Sequence, residues 1–327
     1  MAWKNLKQKS LADSLIIHHA ALEELDDVNE LIDWSRIETL LAGIHNKRRG
    51  EQAWPPLMMF KALLLQSWYR LSDPALEKQL ARDLLFRRFV DISVSESVPD
   101  HSTLWRFRNF LEKNGLYQQL LDAINQQLSE QGLLIRSGEV SIIDASVIEA
   151  RNARPKKDKD GHNTQDKDAG WNVKQGSDGK QKTTYGYKAH MNVEEDGFIK
   201  TYAVTAGNVH DSRVFEELLT GTETQAYADS AYKSQAHDAL LAKHCIDNRI
   251  LKRGYRNTPL SEQDKRKNQH YASTRTVIER VFGVQKLHQA MSKSRYLGLI
   301  RNKAWIGLLS IAHNLKRGVM LHRCCYS

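Results

Sequence analysis

The sequence predicts an α/β domain, a mixed sheet with flanking helices, preceded by an all-helical domain. Three observations carry that expectation. Residues 1–135 show helical periodicity with no convincing strand, the period changes at Gly138 to short β-branched runs, and those runs then alternate with helical stretches. A chain of 327 residues has room for two such domains, which sets the expected division at 1–135 and 136–327.

In the first part, Leu11 to Leu41 repeats apolar positions among acids and reads as two helices broken near Asp33, Trp34 and Ser35. Pro55 and Pro56 open the run Leu57 to Tyr69, apolar on most sides and therefore a central buried helix. Asp73 is placed to cap the next helix, Ala75 to Val90, with Pro74 in its first turn, where a missing N–H is harmless. After the loop Asp91 to Pro99, Asp100 to Thr103 starts the helix Leu104 to Asn114, stopped by Gly115. Arg106 and Arg108 lie near its start, where a recognition helix offers side chains to a major groove, although two solvated arginines on a core helix read the same way. Leu116 to Gln131, closed by Gly132, completes this part.

In the second part, Val140 to Ile148 is a β-branched run with Asp144 in its middle, a central strand. Arg151 to Thr184 has almost nothing apolar except Trp171 and Val173, and nine of its 34 residues are basic, so it reads as a mobile loop. Tyr185 to Glu194 and Phe198 to Thr205 flank Asp196-Gly197, a strong hairpin signal. Asp211 is placed to cap a helix from Ser212 to Leu219. Gln225 to Tyr232 is a short strand ending at Asp229, Ser234 to His244 is an amphipathic helix, and Asn248 to Lys252 is the fifth strand. A basic loop, Arg253 to His270, leads to a helix around Glu279, and Ile300 to Leu321 closes the chain as a second long helix.

Composition narrows the function. No apolar run reaches membrane-spanning length, since Ala304 to Ala312 is only nine residues and holds Gly and Ser. The first residues lack a continuous apolar segment, and three cysteines make neither a disulfide framework nor a zinc ribbon. The expected location is a reducing cytoplasm, with no membrane partner. Charge is unevenly placed: residues 1–135 and 136–250 each hold 16 basic and 18 acidic residues, whereas 251–327 holds 16 and 3. A positive field so concentrated points to a polyanion, with nucleic acid first.

Glu279 sits in that field. Val277, Ile278, Val281 and Phe282 form one apolar helix face, and Arg275, Glu279, Gly283 and Lys286 share a different stripe at about 100° per residue. Alone, this is a surface helix with an Arg–Glu pair. With Asp144 and Asp229 on strand-like runs it becomes a third carboxylate, and three converging carboxylates need a divalent cation, Mg²⁺ or Mn²⁺, to neutralise them. Such a site hydrolyses or transfers phosphodiesters, and Arg275 and Lys286 suit the phosphate. Glu149 and Asp211 compete for the same role, Glu149 from the opposite strand face and Asp211 as a helix cap.

At these residues the chain resembles the DDE transposases of bacterial insertion sequences, in particular the family named after insertion sequence five. The resemblance runs through Trp68 to Asp73 and Pro99 to Leu104 in the helical part. It continues through Ile143 to Ala150, Gly186 to His190, Thr205 to Asn208, His210 to Ser212 and Ala228 to Tyr232. Arg275, Glu279 and Lys286 match the family's Tyr-Arg-Glu-Lys signature, but Tyr271 stands one residue further from the arginine than the family's tyrosine does.

The resemblance implies a ribonuclease-H-like mixed five-stranded sheet, with Asp144, Asp229 and Glu279 as catalytic metal ligands for Mg²⁺ or Mn²⁺. It implies DNA contacts from Arg275, Lys286 and Tyr271, with Arg106 and Arg108 as further candidates. The partners would be double-stranded DNA, both terminal inverted repeats and target, and a second copy in a homodimer. A bacterial cytoplasmic location, at the nucleoid when DNA-bound, follows. A ribonuclease-H-like nuclease without strand transfer and a non-catalytic DNA-binding regulator remain as alternatives.

Overall fold

The computed structural model of the chain describes all residues except 1–2, 5, 7–9, 17–18, 45–52, 134–138, 160, 162–164, 176–180, 255–258 and 327, and the side chains of 175, 325 and 326. The chain forms two compact units, Met1–Leu133 with Asn314–Ser327, and Leu134–His313. The boundary foreseen at 135–136 falls outside the described residues. No helix among the described residues is long and apolar enough to cross a membrane.

The first unit is helical: α1 (Asp26–Leu31), α2 (Trp34–Leu41), α3 (Pro56–Trp68), α4 (Asp73–Arg82), α5 (Leu84–Val90), α6 (His101–Lys113) and α7 (Leu116–Glu130). Helix α3 is its centre, with Phe60, Ala62, Leu63, Leu64 and Leu65 all buried, as a helix apolar on most sides must be. Asp33 caps α2 through the Ser35 amide. Where one helix was expected from Ala75 to Val90 there are two, because Asp83 leaves helical geometry and its carboxylate accepts from the Leu85 and Phe86 amides. Ser72, not Asp73, caps α4.

Asp73 is held elsewhere. The Arg108 guanidinium donates to both its oxygens, at 2.9 and 2.6 Å, and to Gln66 Oε1 at 2.7 Å. Arg108 is 2% exposed, so it is a core ion pair and not a groove-reading side chain. Arg106 stays exposed, and among the described residues it reaches Ser102 and Thr103. Two residues apart on a helix means nearly opposite faces, which is why the two arginines have different fates.

The chain's end also belongs here, although it was expected with the second domain. Asn314 donates to Asn125 Oδ1 at 2.7 Å and Arg323 pairs with Asp27. Gly318 lies so close to Leu128 and Leu31 that a Cβ would fall 2.7 and 2.9 Å from their methyl carbons.

The second unit is built on β1 (Val140–Glu149), β2 (Gly170–Gln175), β3 (Gln181–Val193), β4 (Ile199–Ala206), α8 (Phe215–Leu218), β5 (Gln225–Ala228), α9 (Gln235–Lys243), β6 (Asp247–Ile250), α10 (Glu262–His288) and the part of α11 (Leu299–Tyr326) up to His313. The mixed sheet has six strands in the order β2-β3-β1-β5-β6, with β4 also on β3. Strand β1 is antiparallel to β3 and parallel to β5, and β5 is parallel to β6. One face buries Ile143, Ala226 and Ala228 under Phe215, Leu218, Tyr232 and Leu241. Helix α10 packs on β1, β3 and β5 through a stripe that includes Ile278, Val281 and Phe282.

The β3–β4 hairpin turns at Gly197, whose φ of +82° only glycine adopts cheaply. Gly186 is required for closeness: a Cβ there would stand 2.0 Å from the Ile148 carbonyl oxygen.

Two stretches differ from expectation. The sixth strand, β2, and the start of β3 lie in the stretch read as a loop, and α10 begins at Glu262, capped by Ser261, inside the stretch read as a basic loop. The first turns of α10 are polar and exposed and lack an apolar stripe, and β2 offers only the short alternation of Trp171 and Val173 inside a long polar stretch, with both side chains exposed.

Glu194, beside the hairpin, is 1% exposed and neither carboxylate oxygen has a hydrogen-bond partner among the described residues. Burial, then Asp196, pushes its pKa up to about 7. A carboxyl raised in the folded state favours folding fully at low pH and loses that advantage as pH climbs to about 7. Glu194→Gln should match the wild type in urea denaturation at pH 4.5 and exceed it at pH 8 by up to roughly 3 kcal/mol. Arg108→Ala should cost about 3–5 kcal/mol in the same measurement, and Arg106→Ala under about 0.5 kcal/mol.

Candidate active site

Register brings the two aspartates together. Ile143 of β1 is paired in parallel with Ala228 of β5, so Asp144 and Asp229 are the next residues on adjacent strands. Asp144 Oδ1 accepts from the Ala145 amide at 2.8 Å, and Asp229 Oδ1 accepts from Ser230 at 2.6 Å, capping a short 3₁₀ turn as β5 ends.

Arg275 of α10 spans both. Its guanidinium lies 3.0 Å from Asp144 Oδ2 and 3.9 Å from Asp229 Oδ1. The arginine side chain is 10% exposed, against 23% for Asp144 and 47% for Asp229. Burial raises the Asp144 pKa and the Arg275 charge opposes that rise. Tyr232 lies beneath, fully buried, with no hydrogen-bond partner for its hydroxyl among the described residues. Burial holds its pKa well above the usual phenol range, and the fields of Asp144, Asp211 and Asp229 add to this. Two hard carboxylates already sharing a cation, over an unsatisfied hydroxyl, are a donor set that fits a divalent metal.

Glu279 follows Arg275 by one helical turn and is exposed. It does not join the aspartates here: among the described residues no group of three acidic, histidine or cysteine side chains is close enough to hold a metal. It lines a cleft of about 550 Å³ with Ser146 of β1, Lys174 and Lys182 of the β2–β3 ribbon, and Gly283 and Lys286. A Cβ on Gly283 would meet nothing within 4 Å, so that turn of α10 is open to a bulky approach. Burial lowers the Lys286 pKa, helped by Lys174 and Lys182, while Asp144 pulls it back up.

Tyr271 stands one turn before Arg275. Its ring packs edge-on against Tyr227 at 5.8 Å and lies 5.9 Å from the Arg249 guanidinium. The site-bearing stripe therefore runs from Tyr271 through Arg275 and Glu279 to Lys286 along one helix.

Of the competing acids, Glu149 lines the same cleft as Glu279 and Asp211 does not. Asp211 receives the Lys188 ammonium at 2.8 Å, and Glu149 pairs with Lys293 at 2.9 Å. His190 is buried, bonded to Thr205 at 2.8 Å, and burial lowers its pKa to about 4. Lys174, Lys182, Ser146 and Tyr232 were not foreseen as site residues. Tyr232 sat in a quoted motif without a role, and the two lysines were hidden in the supposed loop.

The family model described as transposase DDE domain matches residues 135–315, and one described as transposase domain matches residues 13–110. No solved structure matches the chain.

Removing the shared cation leaves two carboxylates facing each other. Arg275→Gln should lower unfolding free energy at pH 8 by about 1–3 kcal/mol, with a smaller loss near pH 4, where protonation relieves the repulsion. Urea denaturation at the two pH values reads this directly.

Proposed function

The chain belongs to the DDE-domain transposases, proteins that act on DNA, and from that premise we propose that it cuts the ends of its insertion sequence and joins them to target DNA. The observation that carries this reading is the adjacency of Asp144 and Asp229 around Arg275, beside a cleft lined by Glu279 and three lysines.

Asp144 and Asp229 would hold the metal, and Glu279 would complete the set from α10. When bound, Mg²⁺, or Mn²⁺ in its place, supplies Lewis-acid polarisation of the phosphodiester and activation of the attacking oxygen. Arg275, released from its two aspartates, turns to the phosphate, where its fork makes paired hydrogen bonds. Lys286 neutralises charge from the α10 side of the cleft. Tyr271 steadies the first turn of the stripe against β5.

In the first step water attacks the phosphorus at the element's end. The bond to the 3′ oxygen breaks, leaving a 3′-hydroxyl and a 5′-phosphate. In the second, that 3′-hydroxyl attacks a target phosphorus and displaces a target 3′ oxygen. The proton leaves the attacking oxygen each time. The helical unit, with Arg106 among its exposed cations, would read the terminal inverted repeats and pair two subunits so that both ends are cut together.

The test incubates full-length protein with Mg²⁺, a labelled end of the insertion sequence and target DNA, beside Asp144→Ala. Joined product with the wild type, reduced to background in the variant, is the expected result. Cleavage without joining would favour a nuclease, and binding without either would favour a DNA-binding regulator.

A further inference from the structure

The β2–β3 ribbon extends from the sheet beside the cleft, and its two faces are chemically different. Asn172 pairs with Thr184 and Lys174 with Lys182, and all four line the cleft. Trp171 pairs with Tyr185, so both occupy the other face, their rings 5.0 Å apart. Two lysines directly opposite on neighbouring strands repel each other, which a free ribbon would avoid. A third cation, Lys286, faces them across the cleft and is held within their field.

The ribbon is not a loose appendage. Strand β3 is continuous from Gln181 into the centre of the sheet, and the ribbon's base is packed tightly. A Cβ on Gly170 would lie 2.2 Å from the Asn208 side-chain oxygen, and one on Gly207 would lie 2.6 Å from the Gly170 carbonyl oxygen. The paired lysines thus have a fixed register relative to Asp144, which lies on the strand that β3 pairs with.

We infer that the β2–β3 ribbon is a DNA-backbone clamp, in which Lys174 and Lys182 together straddle duplex phosphates next to the phosphodiester that is cut. The inference rests on the reading of this chain as a DNA-cutting transposase. An anion between the two ammonium groups converts their repulsion into two attractions, while the Asn172 and Thr184 side chains offer neutral hydrogen bonds alongside. The ribbon's aromatic pair points away from the cleft, so base stacking, the mode of single-strand binders, is not how this face holds its ligand. Phosphate contact by fixed cations is sequence-independent, as a surface that must accept both element and target DNA requires.

The test measures binding of full-length protein to a mixed-sequence DNA duplex by fluorescence anisotropy over a salt series, in EDTA. The Lys174→Gln/Lys182→Gln variant is compared with Arg213→Gln/Lys243→Gln, which removes the same charge at two exposed positions away from the cleft. Each lost phosphate contact flattens the plot of log affinity against log salt by about 0.9. The ribbon variant should therefore lose about 1.8 in slope and at least roughly 10-fold in affinity at 0.1 M salt, with the control pair unchanged. Its melting temperature should equal or exceed that of the wild type, because the like-charge contact is gone. A slope equal to the wild type, a slope lost equally in the control, or no duplex binding by the wild type overturns the clamp. Binding in EDTA requires no cutting, so failure here leaves the strand-transfer test of Asp144→Ala to decide the transposase reading separately.

Discussion

The guanidinium of Arg275 holds together three parts of the chain that are remote in sequence. Asp144 lies on β1, Asp229 follows the end of β5, and the arginine comes from α10. Parallel pairing of β1 and β5 makes the two carboxylates neighbours, and burial makes the Asp144 charge expensive. One cation shared between them is the least that such an arrangement needs. The orientation of α10 follows, since its apolar residues must cover the sheet while Arg275 reaches the aspartates.

The same helix carries the consequences outward. Tyr271, Arg275, Glu279 and Lys286 lie along it at intervals of about a turn or two, so each is fixed once Arg275 is fixed. Glu279 and Lys286 then face the cleft, and the ribbon supplies the opposite wall. The site is a carboxylate pair within a border of lysines, which suits a ligand with negative charge distributed along its length. In the proposed reaction the carboxylates gather the metal and the lysines gather the DNA.

Much of this was readable from residues. The hairpin at Asp196-Gly197, the buried α3, the central strand with Asp144 and the stripe of α10 all announce themselves by apolar period or turn chemistry. The ribbon did not, because the alternation of Trp171 and Val173 is only two residues long within a polar stretch, and Lys174 and Lys182 have the look of loop cations. The first turns of α10 are polar and exposed and carry no apolar stripe at all. Arg106 and Arg108 share a place near a helix start, which is all that their sequence shows; helical geometry turns them to nearly opposite faces and sends Arg108 to Asp73. Register across parallel strands, which makes Asp144 and Asp229 neighbours, is set by tertiary pairing and has no local signal. The motif around His190 had a visible signature but a structural purpose: His190 bonds Thr205 across the sheet, and Lys188 bonds Asp211.

The central claim is that the place now bridged by Arg275 is where a divalent cation binds. Mn²⁺ titrated into the full chain and followed by electron paramagnetic resonance tests it without any DNA reaction. The account predicts binding that disappears in Asp144→Asn/Asp229→Asn and tightens in Arg275→Gln, because the competing guanidinium is gone. Binding that persists in the double aspartate variant, or that weakens when Arg275 is replaced, would contradict it.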